Sequence, residues 1–375
     1  MADLHLGSQL HFIDNDVQQR LLTVEDAMDA IEDAYREWDA GQATIGPKTN
    51  MYLYNDDDTR YGFSIIHGGV KNIGIVAMRI KSDFHRNAFD RMDIPEDSSV
   101  PTSLSKGAGA EGKFCGLVYL FSARNGSPLA ILNDGYLQHV RVGACAGVAA
   151  KYLAREDAHT LCLLGSQWMA RTHAPAMCAI RPISLIKVYS PTRENREAFA
   201  REMSQKLDVE IRAMDSPEEA VKGADIVACC TNSHRRPVLR GSWLAEGMFI
   251  SNVLSPELDE DAESRVDYTV KNQPLRDLSA YTYEAGSPPP GIERPSEGRA
   301  WLRQVNDATP LLSEVIAGKA RGRANEREIT FFSNNEGTGV QFAAVGGLIL
   351  RRLVEEGAQG GKTIPQEWFF QDIPN

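Results

Sequence analysis

The sequence predicts an α/β protein in two parts, and three patterns in its 375 residues predict it. Up to about residue 135, β-rich runs follow one another through polar turns, as antiparallel strands do. From about residue 136, short apolar strands alternate with helical stretches, which implies parallel βαβ units. Within that second part "TLCLLGSQWMARTH" (160–173) reads as a buried strand, a Gly-led turn and a helix, the start of a Rossmann-like domain.

Taken in order, the opening "MADLHLGSQLHFIDNDVQQR" lacks the basic-then-apolar pattern of an export signal, so a cytoplasmic location is expected. "TVEDAMDAIEDAYREWDAG" offers a cap at Thr23, acids in the first turn, an apolar face of Met28, Ile31, Tyr35 and Trp38, and a stop at Gly41. "TNMYLY", "RYGFSII" and "IGIVAMRI" predict a small antiparallel sheet, and 85–112 lose periodicity and predict a long loop. "CGLVYLF" and "PLAILN" flank "SARNGS" as a hairpin. "YLQHVRVGACAGVAAKYLA" is an Ala-rich helix. Strands "TLCLLG", "LIKVYS", "VEIRAM", "DIVACCT" and "GMFISNV" follow, with helices over 167–180 and 193–207 and one in "SPEEAVKGA", which has a Ser cap and Pro in its first turn. The Pro-, Gly- and Glu-rich 280–300 predict an exposed excursion, and "VQFAAVGGLILRRLVEEG" predicts a helix returning to the first part.

Hydrophobic residues make up 42% of the chain and charged residues 24%, with no apolar run near the roughly 18 residues that span a bilayer, so no membrane partner is expected. The 40 basic and 51 acidic residues give a net charge of −11 without a basic stripe, which argues against a nucleic-acid partner. Cys115, Cys145, Cys162, Cys178, Cys229 and Cys230 lack both C-x-x-C spacing and zinc-like His partners; they read as reduced core thiols, with no metal site.

In the dinucleotide fingerprint G-x-G-x-x-G/A, the first Gly makes the turn, the second admits the pyrophosphate and the third lets helix and strand pack closely. Gly165, Ser166, Gln167, Trp168, Met169 and Ala170 occupy these places, so the first and last roles are filled and Gln167 sets a side chain in the phosphate path. At the end of the next strand an NAD site carries Asp or Glu for the ribose hydroxyls; "YSPTREN" has none. Ser190 and Thr192 can instead hydrogen-bond a 2′-phosphate, with Arg193 and Arg196 to neutralise it, so NADP(H) is expected over NAD(H). Thr231, closing "DIVACCT", joins the expected cofactor residues.

The chain resembles the ornithine cyclodeaminase and mu-crystallin family. The resemblance is carried by "GLVYLFSARNGSPLAIL" (116–132), "RVGACAGVAAKYLA" (141–154), "LLGSQWMARTHAPAMCAIRPI" (163–183), "VYSPTRENREAFA" (188–200), "EEAVKGADIV" (218–227), "PVLRGSWLAEGMFISNV" (237–253) and "EITFFSNNEGTGVQFAA" (328–344). It implies an α+β substrate-binding and dimerisation domain over 1–140, with 335–375 returning to it. It also implies a Rossmann-like NAD(P)-binding domain over 141–334, a homodimer, and hydride transfer at carbon 2 of a small α-amino or α-imino acid. The carboxylate-binding Arg of the family falls on Arg141, whose planar fork suits a carboxylate. Its strand Lys falls on Arg79, with Lys81 two residues on and on the same face; a further Arg corresponds to Lys48 and a Thr to Lys113. Asn334 and Gln341, in "SNNEGTGVQ", are expected on the nicotinamide side.

After "FISNV" the cyclodeaminase pattern continues with a Gly-rich turn carrying a catalytic Asp, whereas this chain has "LSPELDEDAE", with Glu257 or Asp259 as the acids that approach that place if the turn is shortened. Imine reduction or amino-acid oxidation is therefore expected ahead of cyclodeamination of a diamino acid, and a fold-retaining partner subunit without turnover is the other alternative. His67, His85, His139 and His173 are expected to be structural or surface groups; His139 lies about 200° around the helix from Arg141.

Overall fold

The structure, a computed structural model, describes residues 9–55, 59–86, 115–233, 237–254, 257–275, 281–287, 305–335, 337–357 and 362–369. A nine-stranded sheet collects β1 (Gln9–Ile13), β2 (Ala43–Ile45), β3 (Thr49–Tyr54), β4 (Thr59–Val70), β5 (Ile75–Arg86), β6 (Cys115–Ser122), β7 (Pro128–Asn133), β14 (Thr282–Ala285) and β16 (Lys362–Pro365). Its order is β14-β3-β4-β5-β6-β7-β1-β16, with β2 also on β4. The antiparallel run predicted from the sequence is its centre: β4 and β5 pair from Thr59↔Arg86 to Val70↔Ile75 across a turn that Gly74 closes at φ 75°.

Two expectations are corrected here. Strand β5 continues to Arg86, past the residue at which a loop was expected to begin, and 87–114, including Lys113, lie outside the described residues. Within the expected excursion, Thr282–Ala285 is an edge strand that pairs in parallel with Asn50–Leu53. Backbone hydrogen bonding recruits this segment without the apolar periodicity that would have announced it.

The second sheet is parallel throughout: β8 (Thr160–Leu164), β9 (Leu185–Tyr189), β10 (Glu210–Ala213), β11 (Ile226–Cys229), β12 (Phe249–Asn252), β13 (Tyr268–Lys271) and β15 (Thr330–Ser333), in the order β10-β9-β8-β11-β12-β15-β13. The order reverses between β8 and β11, which is where doubly wound sheets bind ligands, beyond the carboxyl ends of the strands.

Helices α1 (Asn15–Leu21), α2 (Val24–Asp39), α3 (Asp134–Leu153), α4 (Trp168–Ile180), α5 (Arg193–Leu207), α6 (Pro217–Val221), α7 (Glu260–Ser264), α8 (Leu312–Ile316) and α9 (Gly339–Glu355) complete the chain. Thr23 and Asp26 form a capping box on α2, and Ser216 caps α6, as their residue types predict. Among the described residues no helix is long and apolar enough to cross a membrane. All six thiols are free; Cys115, the first residue of β6, is exposed and not a core thiol.

Helix α3 joins the two sheets. It leaves β7 through an Asn133 cap and runs unbroken past 140/141, so the expected domain boundary falls inside a helix. Its Ala and Gly residues let neighbours come close: a Cβ on Gly143 would lie 2.6 Å from the Thr172 backbone of α4, and one on Gly147 3.0 Å from Ala176 and Met28. One apolar cluster consequently runs from Leu132 and Val345 beside the first sheet to Leu161, Phe249 and Phe332 of the second. The α3–α4 contact has no room for an added methyl group. Gly143→Ala is expected to lower stability by about 1–3 kcal/mol, read as a lower denaturation midpoint in urea with an unchanged slope; an unchanged midpoint would mean that α3 and α4 separate at little cost.

Candidate active site

At the carboxyl end of β8 the chain turns through Gly165, whose φ is 120° and whose added Cβ would overlap the Cys230 carbonyl at the end of β11. Only glycine satisfies both demands. Gln167 then takes the N-cap place of α4 but makes no side-chain cap bond and is exposed, while Ala170 is fully buried against the sheet. Thr192 at the start of α5 likewise makes no cap bond. Helices α1, α2, α3, α6, α7 and α9 are all capped by a side chain. The two long helices that begin at the ends of β8 and β9 thus keep their first N–H groups available, the arrangement that receives phosphates. These residues fit a dinucleotide.

The expected 2′-phosphate residues divide. Ser190 is buried, accepts from the Ser166 hydroxyl at 2.9 Å and donates to the Thr192 carbonyl, so its one hydrogen is taken. Arg196 is also buried, donating to the Ser190 carbonyl and to Asp215 Oδ1. Both brace the turn. Thr192 and Arg193 face solvent, the latter bonded to Glu197 one helical turn on.

At the ends of β11 and β12, Glu257 is fully buried and accepts four hydrogen bonds: from Thr231 N–H and Oγ1–H, and from the Val253 and Leu254 N–H groups. Burial pushes its carboxyl above the ordinary value while the four donors favour the charged form. Asp259 caps α7 through Ala262 N–H and accepts from Gly241 N–H. Neither acid is free to serve the substrate, and the Thr231 hydroxyl is spent on Glu257.

Arg141 is 4% exposed. Its Nε and Nη2 donate to Gln138 Oε1 and its Nη1 to Gln341 Oε1, all neutral amide oxygens, and its plane lies over the Phe342 ring. Of the five donors a guanidinium carries, one on each terminal nitrogen is left over. Burial, and then the charge of Arg79, push its pKa down to about 10. Gly337 crosses the guanidinium so closely that a Cβ there would overlap Nη1. By contrast, Arg79 donates twice to Asp134 Oδ2, at 2.9 and 2.6 Å, and its charge is neutralised inside the protein. Arg79, the counterpart of the family's strand lysine, is thus paired within the protein. Lys81 pairs with Asp83, and burial outweighs that partner to lower its pKa, with Arg79 and Lys48 adding repulsion.

This cluster adjoins the parallel sheet. Asn334, directly after β15, donates from Nδ2 to the carbonyl of Val142, the residue after Arg141, and from its backbone to Asn252 Oδ1. His139 of α3 stacks on Trp168 at the start of α4, ring centroids 5.7 Å apart and planes at 28°. Gln341, expected on the nicotinamide side, is instead fully buried and spent on Arg141, the Thr338 N–H and Tyr35. His173 is a core residue with its pKa lowered to about 4 by burial, and His67 is exposed. Sequence reasoning missed Asp134, Gln138, Tyr35 and Asn272. Only Gln138 had a local signal, one turn before Arg141 on the same helix face.

Removing the Glu257 carboxylate would leave three backbone donors without their acceptor. Glu257→Ala is expected to cost roughly 3 kcal/mol or more, measured by chemical denaturation, with weaker cofactor binding as the two loops loosen. A loss well under about 1 kcal/mol would show that water replaces the carboxylate.

With this geometry in view, the profile of the ornithine cyclodeaminase/mu-crystallin family matches residues 107–357. An uncharacterised cyclodeaminase of Sinorhizobium fredii is 30% identical over 89% of this chain and 92% of its own length. A Delta(1)-pyrroline-2-carboxylate reductase of Bacillus cereus is 27% identical over 92% of this chain and 95% of its own. The structure of Thermococcus litoralis Delta(1)-pyrroline-2-carboxylate reductase, in complex with NADH and L-proline, shares the fold with a TM-score of 0.72 at 24% identity, covering 95% of this chain and 100% of that one.

Proposed function

Since the chain belongs to the ornithine cyclodeaminase/mu-crystallin family, we propose that it is a nicotinamide-dependent oxidoreductase that moves hydride at carbon 2 of a small α-imino or α-amino acid, most readily as an imine reductase. The observation that carries this reading is the buried Arg141, whose bonding partners are neutral and which keeps one donor on each terminal nitrogen. Such a group favours a bidentate carboxylate as its counter-ion. Holding the carboxylate there fixes carbon 2 beside the carboxyl ends of the parallel strands, a proximity effect. A nicotinamide held beyond those strand ends would supply the hydride. Lys81, its ammonium made more acidic by burial and neighbouring cations, supplies the proton that the imine nitrogen takes up.

The acids around the cluster argue against cyclodeamination, which needs one to hold and deprotonate a second amine. Asp134 is bound to Arg79, Asp83 to Lys81, Glu257 to two loops and Asp259 to a helix end. A subunit without turnover is disfavoured by the open ends of α4 and α5 and by the two spare donors of Arg141. The nine-stranded sheet leaves Leu53, Val76 and Tyr283 exposed, which supports a homodimer.

NADPH is proposed over NADH because the turn after β9 has no carboxylate, while Thr192 and Arg193 stand exposed at the open end of α5. Arg193→Ala is expected to weaken NADPH by about tenfold and leave NADH nearly unchanged, each titrated through tryptophan fluorescence. Equal losses for both cofactors would remove the basis for the preference.

A panel of Δ1-pyrroline-2-carboxylate, L-alanine, L-lysine and L-ornithine, followed by NADPH absorbance and ammonia release, tests the activity. Oxidation of NADPH with the cyclic imino acid is expected, with kcat/KM lower by 100-fold or more in Arg141→Ala, on the order of a lost charge-assisted bidentate contact. Release of ammonia from ornithine without net cofactor change would make the protein a cyclodeaminase instead.

A further inference from the structure

The amide of Gln341 is fixed at both ends. Its Oε1 accepts from Arg141 Nη1 at 3.1 Å and from the Thr338 N–H at 3.2 Å, the second being half of the capping box that starts α9. Its Nε2 donates to Tyr35 Oη at 2.9 Å and to Asn272 Oδ1 at 3.4 Å, and Tyr35 Oη in turn donates to Asn272 Oδ1 at 2.5 Å. These residues come from α9, α2, α3 and the end of β13, and Gln341 and Tyr35 are fully buried. The start of α9 is itself immovable, because a Cβ on Gly339 would overlap the backbone of His67 and Gly68 in β4. Reversing the Gln341 amide would set an NH2 against Arg141 and an oxygen against Asn272 Oδ1, so one orientation is enforced.

We propose that Gln341, oriented by Tyr35 and Asn272, is a positioning residue that holds Arg141 by a neutral acceptor, so that the substrate carboxylate is the counter-ion of that arginine. This rests on the reading of Arg141 as the carboxylate-binding group. A carboxylate at position 341 would occupy the same bond and neutralise the guanidinium before substrate arrives. An amide fixes the geometry and leaves the charge unspent, which a glutamate cannot do.

The test compares wild type with Gln341→Glu, Tyr35→Phe and Arg141→Lys, using Δ1-pyrroline-2-carboxylate and NADPH as probes, with NADPH affinity by fluorescence and thermal midpoint alongside. Gln341→Glu is expected to raise KM for the imino acid at least tenfold and to leave NADPH affinity within about twofold, the thermal midpoint showing whether the variant is folded. Tyr35→Phe, which removes one oxygen, is expected to raise KM about threefold or more with NADPH affinity again unchanged, and it decides the matter if the glutamate variant does not fold. A folded Gln341→Glu protein with wild-type KM, or a Tyr35→Phe protein that loses thermal stability at wild-type KM, would overturn the positioning role. If Arg141→Lys also leaves KM unchanged, the carboxylate reading of Arg141 fails; if Arg141→Lys raises KM while the other two do not, the positioning role alone fails.

Discussion

Arg141 carries its charge into the interior with two glutamine oxygens and a phenylalanine ring for company, and burial, with the charge of Arg79 added, pulls its pKa down to about 10. A buried cation so placed costs free energy until an anion arrives. The structure holds it there through packing that leaves no alternative: Gly337 bars movement on one side, and the first turn of α9 is pressed against β4 on another. The acids that could have relieved the charge are committed elsewhere. A closer Asp or Glu would have spent that charge within the protein.

Helix α3 makes this possible. Its first residue, Asp134, neutralises Arg79 on the first sheet; the next turn presents Gln138 and Arg141; Val142 takes the hydrogen bond of Asn334 at the carboxyl end of β15; and Gly143 and Gly147 admit α4. One continuous helix therefore sets the distance between Arg141 and the Gly165 turn. A hinge placed between the parts would let that distance fluctuate, at a large cost in rate for a reaction that depends on alignment.

The same economy of charge appears at the dinucleotide end. Glu257 ties the loops after β11 and β12, Asp215 holds Arg196, and Ser166 and Ser190 close the turn after β8. What is left exposed is a pair of open helix ends with Thr192 and Arg193 beside one of them. Polar residues that look alike in the sequence thus divide into those buried to brace the turns and those left exposed.

The sequence by itself determined the alternation of strands and helices, the caps at Thr23 and Ser216, the Gly165 turn and the small residues that fit Ala170 and α3 into close contact. These are local properties, set by backbone sterics and by the period at which apolar residues recur. Only the tertiary structure decided which polar groups remain available. Tyr35 and Asn272 meet across 237 residues, Arg141 and Gln341 across 200, and Arg79 and Asp134 across 55. Nothing in the neighbourhood of either partner announces such a bond. The edge strand β14, recruited by backbone pairing alone, was illegible for the same reason. Whether a given Arg, Ser or Glu serves a ligand or the fold depends on what the folded chain sets against it, and desolvation makes that choice binding, since a buried polar group must take the partner within reach.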